Sequence, residues 1–200
     1  MMTIRSFSLS FVALGLAATS LAQMKTYTIV NDPKHKLAQV ESKTAVETFT
    51  GKSTAITGSF SFDAAKKVGR GTLQLPVASI DTGIPLRNEH LQDTNWLNAA
   101  KNPNIRFVSQ GTRHLKGDEY EVTGNFTMNG VTKQIKTKAI VRQLPASAQT
   151  RELGFKGDVL RVETSFPITL KDFNVIIKGQ AVGKVSETVN VKISVFAQTG

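Results

Sequence analysis

Residues 79–107 read S-I-D-T-G-I-P-L-R-N-E-H-L-Q-D-T-N-W-L-N-A-A-K-N-P-N-I-R-F, and they interrupt a pattern that holds on both sides of them. The flanking chain alternates with a period of two, the repeat of a strand with one buried face. Within the stretch, Leu86, Arg87, His90 and Leu91 instead follow Pro85 at helical spacing. Proline suits a first helical position, where its missing N–H would have no partner anyway. Asp93 is placed to cap a further turn carrying Trp96 and Leu97. Pro103 ends the excursion, and Ile105, Phe107 and Ser109 resume the alternation. One short helical insertion, at about residues 85–100, is therefore expected inside a β structure.

Working outward, residues 24–29 open with a strand, and Asn31-Asp32-Pro33 is a turn cluster. Residues 36–54 lack clean alternation and read as interrupted by a bulge or a short helical turn. Ile56, Gly58, Phe60 and Phe62 share one face of a strand. Residues 64–71, with Gly69 and Gly71, read as the connection to Leu73, Leu75 and Val77, and Pro76 marks an edge, a bulge or a strand end. Beyond the insertion, residues 120–128 alternate cleanly into Asn129-Gly130, the clearest hairpin signal in the chain. Val131, Ile135 and Ala139 follow, then a loop over 145–158. A strand at Leu160, Val162, Thr164 and Phe166 breaks at Pro167 and resumes through Ile168 and Leu170, and Val189, Val191, Ile193 and Val195 share a face of the last. About eight antiparallel strands with one helical insertion make an all-β chain that fits a closed barrel or a sandwich.

At the start, Arg5, the apolar run 7–18 and Ser20-Leu21-Ala22 have the layout of a secretory signal peptide cut before Gln23. The apolar run is shorter than the roughly 20 residues of a bilayer span. The expected organisation is a signal peptide at 1–22, one domain at 23–200, and a periplasmic or secreted location. There is no Cys, so packing and strand pairing alone hold the fold. Losing Arg5 alone of the 25 Lys and Arg residues leaves a net charge of +9 against 15 acidic residues. The positive residues, Lys133, Lys136, Lys138 and Arg142 among them, are spread along strands, as on a solvated outer face that discourages edge pairing. Attraction to an anionic membrane surface is a secondary expectation; nucleic acid is not expected, since no aromatics accompany the basic residues.

No catalytic constellation stands out: there is no G-x-S-x-G elbow, no H-E-x-x-H and no phosphate-binding loop. His35, His90 and His114 are far apart in sequence, with His114 expected at the surface of a hairpin loop. His90 has Glu89, Asp81 and Asp93 within reach in sequence, but a lone histidine on a short helix is more often structural. Neither an enzyme nor a metal site is expected.

Four blocks in order carry a family resemblance: S-I-D-T-G at residues 79–83, R-N-E-H-L at 87–91, N-P-N-I-R-F at 102–107, and G-N-F-T-M-N-G-V-T-K at 124–133. They resemble the S-I-D-T, R-D-x-H-L, Y-P-x-x-x-F and G-x-L-T-I-x-G-V-T-K of the YceI-like family of lipid- and polyisoprenoid-binding proteins. Asp172-Phe173-Asn174-Val175 is similar to that family's D-F-G-I. The resemblance implies a lipocalin-like barrel of eight strands, whose interior suits one slim ligand. It implies a non-catalytic carrier with no cofactor, enclosing a polyisoprenoid, an isoprenoid quinone or a similar lipid, as a monomer or homodimer. The expected tunnel lining is Phe49, Phe60, Leu75, Val77, Phe107 and Val122, with Phe126, Met128, Val162 and Phe166 and, at the entrance, Leu91 and Trp96. Asp81, Arg87 and His90 carry the family's letters unchanged; they frame the tunnel mouth, or else Asp81 and Arg87 pair to fix the helix. Asn88 replaces the family's Asp after the arginine, removing one negative charge there. The competing expectation is a barrel filled by these side chains and acting through its basic surface.

Overall fold

The computed structural model describes residues 24–200; the expected signal peptide lies outside them. Ten strands lie in one antiparallel sheet: β1 (Lys25–Ile29), β2 (Lys36–Lys43), β3 (Thr48–Ser53), β4 (Thr57–Asp63), β5 (Val68–Pro76), β6 (Asn104–Lys116), β7 (Glu119–Met128), β8 (Val131–Leu144), β9 (Val159–Thr169) and β10 (Thr188–Gln198). Two helices accompany them, α1 (Pro85–Gln92) and α2 (Ala148–Glu152).

The ten segments make eight staves. β10 pairs with β2 through Asn190–Val195 and with β1 through Ala197 and Gln198, so β1 and β2 are halves of one stave broken at residues 30–35. Their partners β4 and β3 are the halves of the next, broken at residues 54–56. From β4 the sheet runs through β5, β6, β7, β8 and β9 back to β10, which pairs with β1 and closes an eight-stranded barrel; β3 has a ladder only to β2, and a single Lys52–Asp81 bridge covers its other edge.

The broken staves explain why residues 36–54 alternate poorly. Their inward positions hold Ala38, Val40 and Ser42 on β2 and Phe49, Gly51 and Ser53 on β3, small or polar in most cases. Ser42 is satisfied by the Ser186 N–H at 2.9 Å and Ser53 by the Ser79 hydroxyl at 2.7 Å. These are bonds to distant loops that no local pattern reveals. Gly69 and Gly71, expected in a connection, lie inside β5 opposite Phe62 and Phe60. A Cβ on Gly71 would stand 2.4 Å from the Phe60 ring, and one on Gly69 2.9 Å from that of Phe62. The glycines make room for aromatic rings folded over them.

Pro167 does not break β9. It pairs with Asn190 of β10, and the ladder to β8 ends at Thr164, so its missing N–H costs no bond on that side. The 145–158 loop contains α2, capped by Ser147, whose hydroxyl accepts the Thr150 N–H while Thr150 Oγ1 accepts the Ser147 N–H. Five residues are too few to show a helical period.

The β2–β3 turn, residues 77–103 with α1, the Asn129-Gly130 turn and residues 170–187 all lie at one end, and the 145–158 loop lies at the other. At the other end Lys25 Nζ lies 2.6 Å from Asp158 Oδ2, Asp158 Oδ1 accepts the Ala146 N–H at 2.9 Å, and Thr199 donates to the Asp158 carbonyl. This clasp ties the start of β1 and the end of β10 to one loop. Lys25, and after it the Ala146 N–H, hold the Asp158 carboxyl below its ordinary 3.8, and Asp158 raises Lys25 above 10.5. The depressed carboxyl contributes above its unfolded value and loses that contribution as pH falls through the folded one. The raised ammonium contributes below 10.5 and loses its share as pH rises through its folded value. The clasp is therefore complete between about 3.8 and 10.5. Asp158→Asn should make the loss of stability below pH 3.8 shallower than in the wild type, measured as urea midpoints on either side of that value.

Candidate functional site

The inward face of the barrel is lined by side chains from every stave, yet they do not meet at the axis. Two cavities remain, one above the other. The outer, nearer α1, encloses about 1100 Å³ of atom-free space counting its open mouth. The inner encloses about 720 Å³ on the same measure. Leu73, Phe107 and Ile193 border both and stand between them.

Eleven of the twelve expected lining residues border these cavities. Phe49, Leu75, Leu91, Trp96, Phe126 and Met128 face the outer one, Phe60, Val122, Val162 and Phe166 the inner, and Phe107 both. Val77 does not. It starts a 3-10 turn, Val77–Ser79, where the chain leaves β5, and is buried with its N–H bonded to Pro103 at 2.9 Å. The alternation that relates it to Leu75 ends with the strand at Pro76. Phe126 is core as well as wall: Phe166 and Phe173 meet its ring edge-on at 5.8 and 5.4 Å. Sequence reasoning missed Leu73 and Ile193 as lining, although it put both on alternating faces: Leu73 pairs directly with Phe107 across β5 and β6, and only barrel closure brings Ile193 of β10 to the same level.

The walls are aliphatic and aromatic. Three charged residues touch them, Lys52, Arg70 and Arg106, and all three lie on outward strand positions with exposed side chains. At the inner end the Phe62 and Tyr120 rings meet edge-on at 5.7 Å. The Tyr120 hydroxyl is pushed above its ordinary value by burial. A bulge in β6 between Ser109 and Gly111 shifts the register against β7, so that Ser109 and Thr112, three apart, both face the inner cavity. Thr112 Oγ1 accepts the Gly69 N–H at 2.7 Å, closing the wall where the β5 glycines leave space.

The mouth is built on residues 79–91. After β5 the chain returns to the sheet, Asp81 and Lys52 exchanging two backbone bonds of 2.8 Å beside β3. The Asp81 carboxylate accepts from Asn88 Nδ2 at 2.8 Å and from the Gly83 N–H at 2.9 Å, and these bonds, Asn88 first, hold its pKa below 3.8. Asn88 Oδ1 in turn accepts the Thr82 N–H at 2.8 Å. A carboxylate at position 88 has no hydrogen to give Asp81, so the amide replaces charge repulsion with a bond.

Asp81 and Arg87 do not pair. Arg87 reaches across the mouth to Glu47 at the start of β3's hairpin and stacks its guanidinium 4.2 Å above the Phe49 ring. Helical spacing points Arg87 and Leu91 the same way, toward the hairpin, and leaves Asp81 to the turn. His90 is exposed on α1 and lines neither cavity. Asp93 ends α1, and its carbonyl rather than its side chain receives the Trp96 and Asn98 N–H groups. His114 lies in β6, not in a loop, with its ring bonded to the Gly117 carbonyl at 3.0 Å and packed on Tyr120. Among the described residues no three His, Asp or Glu side chains are grouped to hold a metal ion.

Comparison with known proteins places this geometry among relatives. The sequence profile of the YceI-like domain matches residues 27–197. The chain is 30% identical to a UPF0312 protein of Azotobacter vinelandii over 94% of its own length and 95% of the relative's. It is 34% identical to Protein YceI of Escherichia coli O157:H7 over 69% and 68%. The crystal structure of Burkholderia cenocepacia BcnA superposes with a TM-score of 0.71 at 24% identity, over 84% of this chain and 99% of that one. A structure described as a polyisoprenoid binding domain from Saccharophagus degradans, implicated in plant cell wall breakdown, gives 0.66 at 18%, over 89% and 100%.

Proposed function

The chain belongs to the YceI-like family, and from that premise we propose that it is a carrier that encloses the hydrocarbon tail of a lipid, a polyisoprenoid or an isoprenoid quinone, and makes or breaks no covalent bond. The observation that carries this reading is the pair of apolar chambers stacked inside the barrel, both bordered by Leu73, Phe107 and Ile193. An elongated ligand fills both; a compact one fills only the outer. The polyisoprenoid binding described for the Saccharophagus degradans domain supports the same ligand class.

The ligand enters tail first. The inner chamber presents mostly hydrocarbon, with the Thr112 hydroxyl bonded to backbone and the buried Ser109 hydroxyl without a protein partner, while the ion-paired Arg87 and Glu47 stand at the mouth, where a polar head remains in water. Affinity comes from area: each buried methylene contributes about 0.8 kcal/mol, so a tail of tens of carbons offsets an association cost of roughly 4–15 kcal/mol without a charged contact. Carriage of such a tail between membranes agrees with export after the 1–22 segment.

The test is direct. Purified protein extracted with organic solvent should release a species with an isoprenoid or similar long tail, seen by mass spectrometry, and the stripped protein should take up an added polyisoprenoid on mixing. An extract free of apolar small molecules, together with no uptake, overturns the carrier.

A further inference from the structure

Nine large apolar side chains are exposed among the described residues, and five of them are at the mouth end of the barrel. Val46, in the β2–β3 turn, is 77% exposed; Ile84 and Leu86, where α1 begins, are 46% and 59% exposed; Ile176 and Val182, in the 170–187 connection, are 50% and 65% exposed. Scattered apolar residues on a surface are ordinary. Here they rise from three separate segments around one opening, and each of those segments also supplies the chamber wall: Phe49 beside the first, Leu91 from the second, Val175 and Val185 from the third. The third reads V-I-I-K-G-Q-A-V-G-K-V over 175–185, with Lys178 and Lys184 and no acidic residue.

We propose that this rim is a membrane-docking surface, and that the barrel stands mouth-down on a bilayer carrying anionic phospholipids. Val46, Leu86, Ile176 and Val182 enter the headgroup layer, and Lys178 and Lys184 meet lipid phosphates. The charge complementarity of the 175–185 segment selects an anionic lipid surface over an apolar protein partner. Contact is by the rim and not by immersion, because outward strand positions carry Lys133, Lys136, Lys138 and Arg142, all exposed. The inference rests on the carrier reading: with the mouth in the headgroup layer, a tail passes between bilayer and outer chamber without being exposed to water.

The experiment uses residues 24–200, which contain the whole closed barrel, and flotation with vesicles of phosphatidylcholine alone or mixed with phosphatidylglycerol. Wild type should float with the mixed vesicles and much less with the neutral ones. The V46D/V182D double variant should partition about tenfold less or weaker still. The V68D/L153D control, whose residues are exposed at the opposite end, should match wild type. K178E/K184E should lose about tenfold on the mixed vesicles and change little on neutral ones. Failure of the wild type to float, or an equal loss in the control, overturns the docking surface. Uptake of a polyisoprenoid presented in detergent, measured in parallel, needs no docking: its failure in wild type counts against the carrier reading, whereas docking variants that retain it show that only docking was removed.

Discussion

Replacing Leu73 by Trp is expected to abolish retention of long isoprenoid chains while sparing chains short enough to stay in the outer chamber. Leu73 borders both chambers with Phe107 and Ile193, and an indole there fills the space a tail must cross to reach from one chamber into the other. A tail that cannot pass loses every contact with the inner wall. Losing only four buried methylenes at about 0.8 kcal/mol each removes about 3 kcal/mol, roughly a hundredfold in Kd. The overpacking itself costs the fold about 1–3 kcal/mol at most, relieved by the space on either side of Leu73. The measurement is Kd against a series of polyprenols of rising length: wild type should gain affinity with each added unit, and the variant should stop gaining at the length that fills the outer chamber. A variant that follows the wild-type series throughout would show that ligands do not cross from one chamber into the other.

The second large effect is on the fold. Gly58 has φ of +149°, and a Cβ there would stand 2.0 Å from the Thr72 carbonyl oxygen and 3.0 Å from its carbon. Both obstacles are backbone of the paired strand β5, which cannot swing aside as a side chain does. Gly58→Ala should cost about 2–4 kcal/mol, read as a fall in urea midpoint at unchanged slope. Gly83 is the comparison: it too has positive φ, +77°, but no atom within 4 Å of an added Cβ, so Gly83→Ala should cost only about 1 kcal/mol. Equal costs at the two positions would contradict the close approach of β4 to β5.

Where the residues alternated, the strands were legible before any coordinates: β7 and the Asn129-Gly130 turn match expectation closely, as does α1 from Pro85. The failures share a cause. Ser42 and Ser53 face inward because loops distant in sequence bond them, Gly69 and Gly71 are in a strand because Phe62 and Phe60 cover them, and Pro167 stays in β9 because its neighbour's ladder has already ended. In each case a partner far along the chain outweighs the local preference. The site divides in the same way. Most lining residues were readable as the inward half of alternating strands, whereas the pairing of Arg87 with Glu47 was not, because forty residues separate them.

By itself the sequence determined an all-β chain, a helical insertion starting at Pro85, which ends at Gln92 rather than near 100, and which face of most strands is apolar, because those properties follow from period and from Gly and Pro chemistry between near neighbours. It left barrel and sandwich equal on periodicity alone, and hollow and filled interiors equal on composition. The tertiary structure decided both. Closure is decided by β10 pairing with β1 and β2 along one edge, a contact between the two ends of the chain. The cavities along the axis are decided by eight staves holding their inward side chains apart on either side of Leu73, Phe107 and Ile193.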